Sequence, residues 1–458
     1  MSNSKIFHSG KGEDDEHAYH TPLEHKVKGL IAPFQEFINS QATASVFLLL
    51  CTLAALIWAS IPVIATWYTN FVTTSIGFHI SDLMISKPLR FWVNDGLITL
   101  FFFFIGLEIK WELLVGELTD HKRAVFILFA AIGGMLTPAT IYFVFHVGSQ
   151  NQSGWAIPMA TDTAFALGIL SCFKNRIPKG VFTFLAALAI IDDIGAIIVI
   201  AICYTAHLNI WMLLIAFFLA VLLILCNYAG FRKPWLYIII GLLIWAAIEE
   251  AGVHGSISGI LVAFTIPARP GRGPRQFIKH ARELLNRFEI RKEETALILE
   301  DQKQHAALEE VQEVAQQATT PLQRWESKLA LPITLFVLPL FALVNAGIPI
   351  DLHLIDNVFT HRVSLGIILA LVIGKPSGVL LFSRIALWFK LGIMLEETTF
   401  KQLIGAAVLT GIGFTMSLFI LNLSFSDSNT VLIAKAAILI SSVLAGLIGI
   451  LFILLFNK

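Results

Sequence analysis

The sequence predicts an all-α membrane protein with about twelve transmembrane helices, and three observations carry this prediction. First, 56% of its 458 residues are apolar and only 14% are charged, whereas soluble domains have about 45–50% and about 25%. Second, the apolar residues fall into twelve segments, each near the length of about 20 residues that a spanning helix needs. Third, Lys and Arg concentrate in alternate loops, as they do in multi-pass membrane proteins.

Each segment is expected to be a helix, because a backbone inside hydrocarbon must satisfy its own hydrogen bonds. A membrane β-barrel would instead show short stretches of alternating polarity. The composition therefore excludes a soluble enzyme with one core, and the balance of 32 basic and 32 acidic residues predicts no nucleic-acid partner. The segments, numbered in chain order, cover about 44–62, 92–109, 124–147, 155–173, 179–205, 209–229, 234–250, 253–267, 329–346, 362–389, 401–424 and 431–456.

The placement of Lys and Arg predicts that both termini are cytoplasmic. No cleaved signal peptide is expected at the polar N-terminus. The predicted organisation is a cytoplasmic tail (1–40), segments 1–8 (41–267), a charged cytoplasmic insertion (268–328) and segments 9–12 (329–458). The periplasmic loop 63–90 contains β-branched residues around a glycine, which favours a hairpin. The insertion is expected to hold an amphipathic helix or helical pair, either as a connector or as a regulatory arm.

Charged residues inside the segments are functional candidates, because each costs at least about 2.5–3.5 kcal/mol at the bilayer centre. In segment 5, neighbours Asp192 and Asp193 point about 100° apart, so they should serve different partners, one a cation pathway and the other a base. Lys375 needs a counter-charge. The resulting ion pair is expected to stabilise the fold, to take part in transport, or to do both. The candidates are Asp95, Glu108, Asp162, Asp192, Asp193, His254, Lys375 and Lys435.

Two segments are predicted to be interrupted within the membrane. In segment 4, Pro158 removes a helix hydrogen bond, and Thr161 and Asp162 favour caps and turns. In segment 11, Gly411 and Gly413 are flanked by threonines. Segments 4 and 11 are each the middle member of a group of three, and the two groups start on opposite sides of the membrane. This arrangement is typical of inverted repeats, which place a binding site at the midplane.

These motifs, in this order, resemble the NhaA family of bacterial sodium/proton antiporters. The resemblance implies twelve helices, with segments 4 and 11 unwound and crossing at the ion site. It also implies electrogenic exchange of Na⁺ or Li⁺ for more than one proton, regulated by pH and requiring no cofactor. The motifs that carry the resemblance are Val93–Gly96, Phe104–Lys110, Ala131–Gly134, Gly154–Pro158, Ala160–Gly168, Leu188–Ala196, Leu338–Ala342 with Asn345–Gly347, Gly374–Pro376 and Gly411–Ser417.

The resemblance also implies roles for individual residues. Asp193 matches the principal carboxylate for cation and proton, and Asp192 matches the neighbour that can pair with Lys375. Thr161 and Asp162 match polar groups of the unwound segment 4, so Asp193, Asp162 and Thr161 are the expected oxygen ligands of the transported ion. Loop 63–90 matches a hairpin that forms a homodimer. Four residues match positions tied to pH response, namely Glu108, Glu112, His254 and Glu326, and four are expected to be structural, namely Asp95, Pro158, Gly411 and Gly413.

Several alternatives stay open at this point. The second proton carrier is either Asp192 or Lys375. Glu108 and Glu112 form either a cytoplasmic cation funnel or a solvated helix end, and His254 is either pH-responsive or structural. A proton-coupled carrier of another small solute is the main alternative function. An ion channel suits a buried acid–lysine pair less well. An intramembrane aspartyl protease is disfavoured, since Asp192 and Asp193 point apart, and we expect no enzymatic activity.

Overall fold

The computed structural model describes residues 41–80, 83–205, 208–270, 274–289, 310–312, 314–315 and 318–456. The predicted tail 1–40 and much of the insertion lie outside the described residues. The helices are α1 (Gln41–Ser60), α2 (Pro62–Thr73), α3 (Leu89–Phe91, Trp92–Leu97 and Ile98–Leu114, without a break), α4 (His121–Phe145), α5 (Thr163–Ser171), α6 (Lys179–Cys203), α7 (Ile210–Tyr228), α8 (Pro234–Glu250), α9 (Ser256–Thr265), α10 (Pro274–Glu289), α11 (Pro321–Asn345), α12 (Leu352–Thr360), α13 (Arg362–Trp388), α14 (Phe400–Leu409), α15 (Phe414–Ser424) and α16 (Ser428–Phe456).

The all-α, multi-pass fold class is confirmed. In the described part of the chain, seven helices are long and apolar enough to cross a bilayer, namely α1, α4, α6, α7, α11, α13 and α16. The pair α14 and α15, bent by 48°, would make an eighth span. Each predicted apolar segment contains helix, but the total of twelve spans stays a prediction. Helix α9 has only 10 residues, a length of about 15 Å, which is short for a bilayer.

The loop between the first two apolar segments contains the predicted hairpin and also an additional helix. Strands β1 (Ser75–Ile80) and β2 (Leu83–Pro88) pair antiparallel, with Ser75 opposite Pro88. Helix α2 precedes them and begins at Pro62, where a missing N–H does no harm. The end of the molecule that carries this hairpin is called the hairpin side below. The placement of Lys and Arg predicts that the hairpin side faces the periplasm.

Three long helices contain a widened π-helical turn, at Trp92–Leu97, Ile333–Val337 and Ala370–Gly374. Two of these turns end two residues before a proline, Pro339 or Pro376. Proline has no N–H and its ring clashes with the carbonyl four residues earlier. A π-turn relieves that clash without ending the helix, and such turns are frequent at functional sites. The third of these turns lies directly before Lys375.

Helices α4 and α13 approach each other closely at two glycines. A Cβ atom added at Gly133 would lie 2.3 Å from the carbonyl oxygen of Gly378, and one added at Gly378 would lie 2.1 Å from that of Gly133. The hydrophobic effect does not drive helices together inside a membrane. Small residues favour helix association there because they permit such close backbone contact. This contact fixes the position of α13, and therefore of Lys375, against α4.

We expect Gly133→Ala to destabilise the protein by about 1–3 kcal/mol, because the backbone of α13 must move to make room. This loss of stability is measured by thermal unfolding in detergent. Intrinsic fluorescence, or the fluorescence of a thiol-reactive dye, monitors the unfolding. Gly446→Ala is the matched control, since its Cβ would have no neighbour closer than 3.4 Å. Equal melting temperatures for the two variants would contradict the close packing of α4 against α13.

Candidate functional site

The two interrupted segments cross in the interior of the protein. In the first, a 3₁₀ turn (Gln150–Ala156) and α5 are separated by the non-helical residues around Pro158. In the second, α14 and α15 are separated by residues 410–413. The two breaks are joined directly, because the amide of Asp162 donates to the carbonyl of Ile412 at 2.7 Å. The predicted interruptions and their contact are thus confirmed.

Asp162 joins the N-terminal ends of both half-helices. Its Oδ1 accepts a hydrogen bond from the amide of Phe165 at 3.1 Å and so caps α5. Its Oδ2 accepts from the amide of Thr415 at 2.9 Å and from the Thr415 hydroxyl at 2.6 Å, at the start of α15. A helix N-terminus carries a partial positive charge. One buried carboxylate therefore compensates two such ends.

Glycine is required where the second break meets α13. A Cβ atom at Gly411 would lie 2.5 Å from the carbonyl oxygen of Leu371. That carbonyl belongs to the π-turn before Lys375, so the break in segment 11 packs directly against the element that carries the lysine. The structural roles expected for Asp95, Pro158, Gly411 and Gly413 stay predictions.

Asp192 and Lys375 form a fully buried ion pair, as the sequence analysis expected for one of the adjacent aspartates. Lys375 Nζ lies 3.0 Å from Asp192 Oδ2, and both side chains have no exposed surface. The same carboxylate oxygen accepts from the Thr161 hydroxyl at 2.7 Å. The lysine also donates to the carbonyl of Met159. The ammonium group of Lys375 thus compensates the carboxylate of Asp192 and donates to a backbone carbonyl in the break of segment 4.

Both adjacent aspartates have an Oδ1 atom without a hydrogen-bond partner among the described residues, but Asp193 lacks the ion pair with Lys375 that Asp192 makes through its Oδ2. The side chain of Asp193 is 2% exposed. The charges of Asp192, Lys375 and Asp162 all act on it. A buried carboxylate without a partner is costly and is a strong candidate for binding a small cation or a proton.

Of the four residues expected at pH-response positions, three lie at the end of the molecule opposite the hairpin. Glu108 and Glu112 are on α3 near its C-terminal end, and the charges of Glu112 and Glu326 act on Glu108. Glu326 lies in α11, which begins at Pro321, before the predicted start of segment 9. Glu112 Oε1 accepts from the amide of Glu117 at 2.7 Å.

His254 is separated from these acids and lies on the hairpin side. Its Nδ1 is 3.4 Å from Asp95 Oδ1, and its ring meets Phe419 edge-on at 5.4 Å. The structure thus brings together two candidates, Asp95 and His254, that the sequence analysis had assigned to different roles. Their functional roles stay predictions.

The site also contains groups that the sequence analysis did not single out. Thr415 supplies two donors to Asp162, Ser417 donates to the carbonyl of Ile157 at 2.8 Å, and the Thr410 carbonyl accepts from Thr161 at 3.2 Å. The signal was present, since Thr410 precedes Gly411 and both Thr415 and Ser417 come shortly after Gly413 in an otherwise apolar segment. Across the described ranges, no group of three or more His, Cys, Asp or Glu side chains is arranged to hold a metal ion. The predicted ligand set of Asp193, Asp162 and Thr161 therefore stays a proposal.

Comparison with known proteins agrees with this geometry. Residues 35–453 match the model of the family described as Na⁺/H⁺ antiporter 1. The chain is 41% identical over 432 residues to a protein of Shewanella denitrificans named Na⁺/H⁺ antiporter NhaA 1, which covers 94% of this chain and 96% of the relative. It is 38% identical to the Na⁺/H⁺ antiporter NhaA of Sulfurimonas denitrificans, over 94% of this chain and 97% of the relative. The chain belongs to the Na⁺/H⁺ antiporter 1 family.

Proposed function

We propose that the protein exchanges Na⁺ or Li⁺ for protons across the bacterial inner membrane, exporting sodium electrogenically. One observation carries the proposal, the buried carboxylate of Asp193 with its unpartnered Oδ1 beside the Asp192–Lys375 pair. The names of the relatives, which are antiporters rather than enzymes, support the same activity. No resident cofactor is required, because Na⁺, Li⁺ and protons are the substrates.

Competition for Asp193 provides the exchange. A carboxylate removed from water needs a compensating charge, which either a sodium ion or a proton can supply. Sodium is a hard cation that prefers oxygen ligands, and in this proposal Asp162, whose charge acts on Asp193, and Thr161 contribute theirs. Binding of Na⁺ then displaces the proton, and protonation displaces Na⁺. If only the compensated states change their accessible side, transport in one direction drives the other.

The Asp192–Lys375 pair supplies the second proton in this proposal. Thr161 hydrogen-bonds to Asp192 at 2.7 Å, so recruitment of Thr161 by a sodium ion would remove one partner of the ion pair. A weakened pair exposes two candidates for proton exchange, and either Asp192 takes up a proton or Lys375 releases one. Exchange of more than one proton for each sodium ion makes the cycle electrogenic.

The remaining predictions form part of the same proposal. Both termini and the insertion 268–328 face the cytoplasm, and the hairpin within residues 63–90 faces the periplasm and joins two copies in a homodimer. Glu108, Glu112 and Glu326 collect cations at the cytoplasmic end and respond to pH, with His254 acting from the other side. A carrier of another small solute is the alternative, and the following experiment distinguishes the two.

Everted vesicles from a bacterial host that lacks its own antiporters provide the test. Respiration acidifies their interior, and a fluorescent amine reports the pH gradient while NaCl, LiCl or KCl is added. We expect Na⁺ and Li⁺, but not K⁺, to collapse the gradient when this protein is present. Vesicles carrying the empty vector are the control. No cation-dependent signal from weakly acidic to alkaline pH would contradict sodium/proton exchange and favour the other carrier.

A further inference from the structure

A cavity with several polar lining residues lies on the hairpin side of the site, and the exchange proposed above makes no use of most of its lining. Its volume is about 780 Å³, and we call it the outer cavity. The outer cavity is close to the crossing of the interrupted segments, because α15 extends from this crossing to the cavity. Thr415 contacts Asp162, while Phe419 and Asn422 of the same helix line the outer cavity. At about 1.5 Å per residue, they lie about 6 Å and about 10 Å further along the helix axis.

The lining of the outer cavity is basic. Arg90 and Lys435 are the basic residues of the lining, and Asp95 is the acid among the lining residues. Asp95 already faces His254, and Arg90 Nη2 donates to Asn422 Oδ1 at 2.7 Å. Asn422 in turn belongs to a chain of amides, since it donates to Asn345 Oδ1 at 3.0 Å. Arg90 is thus held in place by a hydrogen-bond network.

Lys435 lacks such a partner. It lies on α16 with 8% of its surface exposed, and it makes no hydrogen bond or ion pair within the part of the chain that the structure describes. The positive charge of Arg90 also acts on it. A buried, uncompensated lysine is expensive in a membrane and is rarely present only for packing. Its amine lines the cavity through which an ion would leave the site.

The opposite end of the protein carries the opposite charge. Asp95 lines the outer cavity and Glu108 lies 13 residues later on the same helix, a separation of about 20 Å along the axis. Glu108, Glu112 and Glu326 cluster at that end. A cation therefore meets carboxylates when it approaches from one side, and it meets Arg90 and Lys435 when it approaches from the other.

We infer that Lys435 determines how strongly the site binds sodium from the hairpin side. It makes this binding weaker than binding from the opposite side. This role rests on the proposed function. The ammonium group repels a cation in the outer cavity, so an ion released there leaves instead of returning to Asp193. Fixed charges beside an ion pathway change the local ion concentration in this way. Lys435 therefore weakens the re-binding of Na⁺ from the hairpin side.

The test compares Lys435→Gln with Lys435→Arg in vesicles of both orientations. The apparent KM for Na⁺ is measured once with sodium added on the hairpin side and once with sodium added on the opposite side. We expect Lys435→Gln to lower the hairpin-side KM by about threefold to tenfold, the range expected for one unit charge at short distance in a partly screened cavity. The KM from the opposite side should stay unchanged, and Lys435→Arg should behave like the wild type.

The same comparison separates an electrostatic role from a structural one. A purely structural role would change the hairpin-side KM and the opposite-side KM together. Equal hairpin-side KM values for wild type and Lys435→Gln would overturn the proposed role of Lys435. A wild type that exchanges no sodium would overturn the proposed function itself.

Discussion

Replacing Asp193 by Asn is expected to abolish sodium-dependent proton flux, reducing it by at least about a hundredfold, a loss of about 2.7 kcal/mol or more at the rate-limiting step. Asparagine has nearly the same shape but carries no negative charge. It can neither compensate a sodium ion nor exchange a proton. The vesicle assay described above measures the effect directly.

The control for this variant is Asp356→Asn, because Asp356 is an exposed carboxylate on α12. We expect it to transport at the wild-type rate. The Asp193→Asn protein should melt at or above the wild-type temperature, because it removes a buried carboxylate whose Oδ1 has no hydrogen-bond partner among the described residues. Sodium-dependent flux that survives in well-folded Asp193→Asn protein would show that another group carries the cation.

Replacing Lys375 by Met is expected to destabilise the fold by about 3–5 kcal/mol, the usual cost of removing one partner from a buried ion pair. The carboxylate of Asp192 and the carbonyl of Met159 would both lose their buried donor. The result should be a large fall in melting temperature and in the yield of protein inserted in the membrane. Thermal unfolding of the purified protein in detergent gives the measurement.

The double variant Asp192→Asn/Lys375→Met separates the loss of an ion pair from the loss of packing. It removes both charges, so we expect most of the lost stability to return. Lys401→Met is the matched control, since this lysine is exposed at the start of α14 and its loss should leave the melting temperature unchanged. If the double variant were as unstable as Lys375→Met alone, the destabilisation would come from packing rather than from an uncompensated charge.

Sequence reasoning located the helices and most of the site because the bilayer imposes strong rules on both. Charged residues are so costly in hydrocarbon that Asp192, Asp193 and Lys375 stood out. Helix geometry predicted different partners for the two aspartates, and the family resemblance implied the pairing of Asp192 with Lys375. The partners of Asp162 did not follow, because Thr415 is one threonine among many until the two breaks are seen to cross. The carbonyl of Met159 carries no sequence signal at all, since every residue has one.

The missed elements have similar reasons. The helix Pro62–Thr73 is partly exposed and too short to show a spanning pattern. The start of α11 at Pro321 was hidden because its first turns are polar, with a Thr320–Gln323 capping box inside what was read as a charged insertion. The outer cavity depends on residues from five regions of the chain, and no single motif marks it. Lys435 was visible only as an isolated charge.

The contacts of Asp162 also bear on how the protein is made. Asp162 and Thr415 are 253 positions apart in the chain, and synthesis at about 5–20 residues per second separates their appearance by about 13–50 s. During this time, α5 is inserted without the donor for one oxygen of its capping carboxylate, and the Met159 carbonyl has no lysine. Until the second half of the chain is synthesised, the unsatisfied groups of the first half therefore need a hydrated or shielded environment, such as the insertion machinery. A chain that stops before Lys375 would carry these unsatisfied groups permanently and would be recognisable to the proteases that clear incomplete membrane proteins.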